Sequence, residues 1–486
     1  MNTLFGAGRR IVRPRSILFF ECAFFLFMSF FCASCTSTRN ALFQELDAEV
    51  EGHNYGGAAQ RIDEPGPSGE LYGEKDGVLF YLDSGILYHA AGEPRKSIER
   101  FDEAEILIEE NFTKSVTDAV SSFLLNDYQL EYAGEAYEDI YLNVFKAIDY
   151  LKLGSFDGAY VEMRRLEEKL NLLEDKYEAL AQSINSSPEA KGALKAASTD
   201  FYNSALARYI SVLLYRADRR RDSAVIELGR LKEAFSRQPA LFDFPLPPEL
   251  DGLLRRGEKA KINVIGFTGR SPIKRASTVR LTTGEGLILV TQEKEDAGGR
   301  MVLVNAAPIP FPVSAGFNFK CQLPQMKLRP SRIKRLVLFV DGAAAGELSL
   351  IEKMDKVAEE TFKLAQSMIF FKTIVRTVTK GVTIKMAKNL ADKRAKAAGG
   401  GWFSVLSLVG GVAADVAADL SEEADLRAAR YFPGQAYVGE FLVEPGEHEL
   451  ALEFYDGAGR RVYREEIPRR NYTQEALNLV TACELQ

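Results

Sequence analysis

At 486 residues the chain exceeds what one compact core holds, so two or more domains are expected. Its 46% hydrophobic and 27% charged residues exclude wholesale disorder, and a net charge of -7 gives no general case for nucleic-acid binding. The charge is uneven, with 17 Lys/Arg against 7 Asp/Glu from Lys320 to Lys396, and seven acids against three bases from Glu93 to Glu110.

The first 35 residues are laid out as a secretion signal. Arg9, Arg10, Arg13 and Arg15 form a basic region, and an apolar run rich in Phe follows from Cys22 to Ala33. That run has about a dozen residues, where a permanent span needs roughly 20. It ends on Ala33 and Ser34 directly before Cys35, which resembles a relaxed lipobox of bacterial lipoproteins with Cys32 in place of the usual Leu. The resemblance implies a signal peptide over residues 1–35 and lipidation of Cys35, making the membrane a partner through acyl chains that together anchor stably. Thr36, rather than Asp, resembles the outer-membrane sorting pattern. The expected location is therefore the outer membrane, facing the periplasm, with cell-surface exposure as the other option. A plain signal anchor or an ordinary cleaved signal peptide are the alternatives. Residues 36–74 read as a tether and a first helix, interrupted by the Gly/Pro-rich stretch from Gly52 to Gly69.

Residues 75–240 carry helical apolar spacing. One arrangement recurs as Tyr81, Gly85, Tyr88, Gly92, Ser97, Phe101, Ala104, and again as Ala147, Tyr150, Gly154, Phe156, Ala159, Met163, Leu166. A degenerate third copy is Val212, Tyr215, Ala224, Leu228, Leu231. These offsets resemble the tetratricopeptide repeat (TPR), in which small residues let two antiparallel helices approach. The TPR-like packing positions are Gly85, Tyr88, Gly92, Phe101, Ala104, Tyr150, Gly154, Ala159, Tyr215 and Ala224. Gly92, Gly154 and Arg219 fall at the turns, and a long helix is expected from Gly158 to Ser183. A generic α-helical bundle is the alternative. Either arrangement serves packing and docking, and a TPR-like one offers a concave surface.

Phe242 to Pro248 cannot continue a helix, so residues 241–260 read as a linker. Short β-branched runs follow in a first β-rich part, 261–350: Ile262–Phe267, Thr278–Leu281, Leu287–Thr291, Met301–Val304 and Ile333–Val340. The same texture returns over 431–486 as Ala436–Val443, His448–Tyr455 and Val462–Ile467. Between them a helical insertion is expected over 351–430. Its first part carries Phe362, Ile369, Phe370, Ile374, Val378, Val382 and Met386 on one side and Lys363, Lys372, Arg376, Lys380, Lys385, Lys388 and Lys393 on the other. Such a helix could lie on an anionic membrane, receive a partner, or pack into the core. The uncharged stretch 397–414 favours a buried helical hairpin over a membrane span, and a short polar helix holds Glu422, Glu423, Asp425 and Arg427. The fold class is thus α+β multidomain: a TPR-like α-helical domain, then an antiparallel β-sandwich-like domain with a helical insertion.

Catalytic patterns are scarce. The three histidines, His53, His89 and His448, sit in no nucleophile motif, and the folded part has no CxxC pair, HExxH helix or EF-hand loop. No cofactor, metal or nucleic acid is expected. Cys321 and Cys483 either pair in an oxidising compartment or remain two buried thiols.

Gly85, Ser97, Phe101, the runs Phe145-Lys146-Ala147 and Leu153-Gly154, Asn263 to Pro272, Ala424 to Arg427 and Glu444 to His448 together resemble an uncharacterised family of bacterial lipoproteins. The resemblance implies location and architecture, with no catalytic residue. The leading expectation is a non-catalytic, membrane-anchored scaffold with unidentified envelope proteins as partners. The alternatives are a regulator of cell-wall or envelope assembly and a glycan- or wall-active enzyme.

Overall fold

The computed structural model describes residues 39, 41–122, 125–187, 190, 194–295, 301–397 and 423–486. The signal segment, Cys35 and most of 397–414 lie outside the described residues.

The helical half begins with α1 (41–51) and α2 (Tyr55–Asp63). Three hairpins follow: α3 (Gly77–Ala90) with α4 (Pro94–Thr117), α5 (Ala136–Lys152) with α6 (Phe156–Asn185), and α7 (Ala205–Ala217) with α8 (Arg221–Arg237). All three turn in the same way. Gly92, Gly154 and Arg219 are left-handed, at φ 72°, 73° and 62°. The next amide in each case, Glu93, Ser155 or Arg220, donates back to the carbonyl of Tyr88, Tyr150 or Tyr215 at 2.8–2.9 Å. This closure satisfies carbonyls that a helix end otherwise leaves open. The first hairpin packs closely at Gly85, where a Cβ would meet the Phe101 ring at 3.0 Å. The long helix α6 covers the expected Gly158–Ser183.

The Gly/Pro-rich stretch differs from expectation, because it contains α2. Asn54 caps it by accepting from the Gly57 amide at 3.2 Å, and Tyr55, Ala58, Ala59 and Ile62 are buried. With Leu46 and Val50 of α1 also buried, residues 41–63 belong to the folded core. Within 241–260, Leu241, Phe242, Leu250 and Leu253 are buried too.

Twelve strands are found among the described residues: β1 (Ala260–Thr268), β2 (Ile273–Gly284), β3 (Leu287–Glu295), β4 (Met301–Pro310), β5 (Asn318–Lys327), β6 (Ile333–Val340), β7 (Ala343–Glu347), β8 (Ser349–Glu352), β9 (Gln435–Val443), β10 (Gly446–Asp456), β11 (Arg461–Tyr472) and β12 (Asn478–Glu484). They form three four-stranded sheets, ordered β12-β1-β9-β8, β11-β10-β6-β7 and β4-β3-β2-β5. Pairing is antiparallel except between β1 and β12, where Ile262 to Thr268 run alongside Asn478 to Glu484. Strand β1 is buried on both faces. Its Ile262 and Val264 share a core with Leu336, Leu338, Leu450 and Leu452 of the second sheet, while Ile265 and Phe267 join the core of the helical half. The first sheet is therefore a middle layer between the helices and the second sheet.

Helix α9 (Met354–Ala397) fills the start of the insertion. Phe362, Leu364, Met368, Ile374, Val375 and Val378 are buried. The cationic side is also partly consumed: Lys372 pairs with Asp127 at 2.8 Å, and the buried Arg376 donates to the Leu125 carbonyl at 2.5 Å. The expected polar helix around Asp425 is not formed, because residues 423–429 have no regular secondary structure. Helical hydrogen bonds would have to displace stronger local partners there. Asp425 accepts from the backbone and guanidinium of Arg427, and the Ala429, Arg430 and Tyr431 amides go to buried carboxylates on other helices.

A groove between the outer helices

The helices α3, α5 and α7 are buried on both sides, and their inner sides are bound by polar anchors. On α3, Asp83 accepts the amides of Arg430 (2.7 Å) and Tyr431 (3.2 Å) and the hydroxyl of Tyr72 (2.8 Å). On α5, Glu138 accepts the Ala429 amide (2.6 Å) and the Tyr132 hydroxyl (2.8 Å). At the start of α7, Ser204 Oγ and the Leu206 amide donate to Glu352 of β8, and Tyr141 of α5 donates to the same carboxylate at 2.6 Å. The segment 423–434 thus crosses the inner face as a strap, with Phe432 seated among Phe101, Tyr137 and Phe145. Burial, followed by the neighbouring Glu135 charge, pushes Glu138 up to about 7 against the hydrogen bonds it accepts. Asp83 is likewise raised by burial to about 6.

The outer helices leave a different surface. Between α4 and α6, over the N-terminal half of α5, lies a groove of about 910 Å³. Its walls carry residues at the same helical spacing: Asp102, Ile106, Glu109 and Thr113 on α4, and Val161, Arg165, Glu168 and Leu172 on α6. Offsets of four, seven and eleven keep each set on one helix face. Ile106, Val161 and Leu172 are 52%, 46% and 50% exposed, which makes an apolar rim.

The floor is a closed network of charge. Lys146 projects from the apolar run of α5, and its side chain is fully buried. Its Nζ lies 2.7 Å from Asp102, 2.8 Å from Glu105 and 3.0 Å from Glu162. Glu105 also accepts from Asn143 (2.9 Å), Arg165 (3.0 Å) and Lys169 (2.6 Å). Asp139 takes Lys169 at 2.7 Å and Lys176 at 3.3 Å. Burial alone would raise the Glu105 carboxyl, but Lys169 and Lys146 outweigh it and bring the group down to about 2. Burial would likewise depress Lys146, yet Glu105 and Glu162 hold it above its ordinary value. A buried ammonium is tolerated only when paired and hydrogen-bonded in this way. The lining holds seven carboxylates against three cations, so it stays acidic even with Lys146 behind it. Glu109 and Glu168 have no cationic partner among the described residues.

Of the TPR-like packing positions, Gly85 lies against Phe101, and Gly92 and Gly154 fall at left-handed hairpin turns. Lys146 and Glu105 carry no sequence signature of a charged centre, because pairing across three helices leaves no local spacing to read. The other positions behave individually. Cys35 lies outside the described residues. Cys321 on β5 and Cys483 on β12 are in different sheets and are not bonded to each other; burial pushes the Cys483 thiol up to about 12. His89 is buried against Asp149 at 2.8 Å, His448 pairs with Asp341 at 2.6 Å, and His53 stacks on Tyr463. Among the described residues no group of three or more His, Cys, Asp or Glu is placed to hold a metal ion, and no helix is long and apolar enough to cross a membrane.

The architecture and groove define a helical-array protein fused through a shared core to a β-rich half. The chain matches no protein-family model, no curated protein and no solved structure.

Proposed function

We propose that this chain is a lipoprotein anchored to the outer membrane through Cys35, with its folded part facing the periplasm as a non-catalytic docking scaffold. In this reading the three hairpins are TPR-like, and the first two sheets form a β-sandwich-like body that braces them. Support for the TPR-like reading comes from the repeated left-handed turns and the Gly85–Phe101 contact. Support for the sandwich comes from the core shared by β1, β6 and β10. The face of α3, α5 and α7, where a TPR-like array would dock its partner, is taken up by the chain's own first sheet and strap. Docking therefore moves to the outer side.

The observation that carries the reading is the α4–α6 groove, whose apolar rim is exposed while its floor charges are spent on one another. An open apolar patch bordered by charge is a surface that a partner would cover.

Two measurements test the proposal. Intact mass of the protein extracted from its native membrane is expected to show a chain starting at Cys35 with added acyl mass, and a Cys35→Ala variant left unprocessed. An unmodified wild-type chain, or one retaining residues 1–34, contradicts the anchor. For the scaffold, Ile106→Asp is expected to abolish recovery of envelope partners without changing the circular-dichroism spectrum or thermal midpoint. Unchanged recovery contradicts docking in the groove.

A further inference from the structure

We infer that the α4–α6 groove receives a cationic amphipathic helix of about three turns from a partner protein. The inference rests on the docking-scaffold reading and names the chemistry of its ligand.

Length comes first. Between Val161 and Leu172 the α6 wall advances eleven residues, about 16 Å at the helical rise, and the α4 wall spans the same distance from Asp102 to Thr113. Two parallel ridges at helical spacing leave a furrow that a third helix can fill with its own side chains. An extended strand would not match it, since its side chains alternate with period two.

Charge then selects the sign. The groove's cations are already paired within the chain: Lys146, Lys169 and Arg165 lie within 3.0 Å of carboxylates, and Lys176 lies 3.3 Å from Asp139. Glu109 on one wall and Glu168 on the other project without a cationic partner among the described residues, and both are exposed. A helix entering with its apolar stripe on Ile106, Val161 and Leu172 would set the flanking positions of that stripe against these two carboxylates. Lys or Arg at those flanks is favoured and acidic residues are repelled, which fixes both polarity and register.

The test uses the full chain in zwitterionic nanodiscs and a fluorescent helical peptide of about four turns with Leu on one face and Lys at its flanks. A second peptide replaces every Lys with Glu. The expected result is that the Lys peptide binds at least about tenfold tighter than the Glu peptide, with the gap narrowing as salt is raised. Leu172→Asp is expected to abolish binding, and the double reversal Glu109→Lys with Glu168→Lys to make the Glu peptide the tighter ligand. Equal binding of the two peptides, or binding unaffected by both sets of changes, overturns the inference. Concentration-dependent self-association that is lost on Leu172→Asp also overturns it, by assigning the groove to a second copy of this chain. Failure here is distinguishable from failure of the scaffold reading. A partner that crosslinks to the exposed Leu442 on β9, and not to Ile106, would remove the groove assignment and leave a scaffold that docks elsewhere.

Discussion

Helices α5 and α8 are both 17 residues long, yet α5 buries 15 of them and α8 only four. The contrast holds down the array: the first helix of each hairpin is enclosed, and the second shows one apolar stripe to its partner and a polar face to solvent. One hairpin design therefore serves two purposes. The enclosed helices weld the array to the β-rich half through Asp83, Glu138, Glu352 and the strap. The outer helices are free to present a groove.

That comparison breaks most visibly at the welded side. Phe432→Ala empties a position packed against three aromatic rings and is expected to cost about 3–5 kcal/mol in denaturant unfolding. Lys146→Met is expected to cost a similar amount, about 3–5 kcal/mol, because it removes the buried ammonium that Glu105 and Glu162 share beneath the groove. Adding Glu105→Gln and Glu162→Gln should recover part of that loss. A Lys146→Met protein as stable as wild type would contradict the floor network.

The two sides should also separate by pH. Glu138 and Asp83 are raised, to about 7 and about 6, so the fold holds their protons more tightly than the unfolded chain does. Their contribution is fully present below the unfolded carboxylate range and is lost as pH rises through those values. Glu105 is lowered to about 2, so its contribution is present above the unfolded range and is lost as pH falls toward 2. Thermal unfolding across pH should therefore show a maximum on the acid side of neutrality. Glu138→Gln should flatten its neutral limb, and Glu105→Gln its acid limb.

Much of the helical half was legible in the sequence, and the reason is local. A left-handed turn demands glycine or tolerates a strained residue, so Gly92 and Gly154 announced themselves, and the same offset located Arg219. What failed to show was non-local. Strand β12 pairs in parallel with β1 from the far end of the chain. Strand β7 reads Ala-Ala-Ala-Gly-Glu, β8 has four residues, and β5 contains Pro324, so none has a strong strand pattern. Helix α2 hid behind Gly56 and Gly57, and residues 423–429 looked helical because their irregular path depends on acceptors from α3 and α5. The groove was invisible for the same reason: Lys146 in a run of apolar residues reveals nothing of Glu105 and Glu162 until three helices pack.

Smaller effects sharpen the turn equivalence. Gly92→Ala should destabilise by about 1–2 kcal/mol, since a Cβ disfavours the left-handed region. Arg219→Gly should be neutral or stabilising by less than about 1 kcal/mol, because it relieves strain at the matching position while adding chain entropy. Smallest of all, Ile106→Asp and Leu172→Asp should each shift stability by no more than about 0.5 kcal/mol, as expected for surface positions that no part of this chain covers.

The most direct test of outer-face docking is site-specific photo-crosslinking in intact cell envelopes, with the reactive group placed in turn at Ile106, Leu172 and Leu442. The account predicts one adduct of the same mass from Ile106 and Leu172 and none from Leu442, whereas an adduct from Leu442 alone, or none from either wall of the groove, would contradict it.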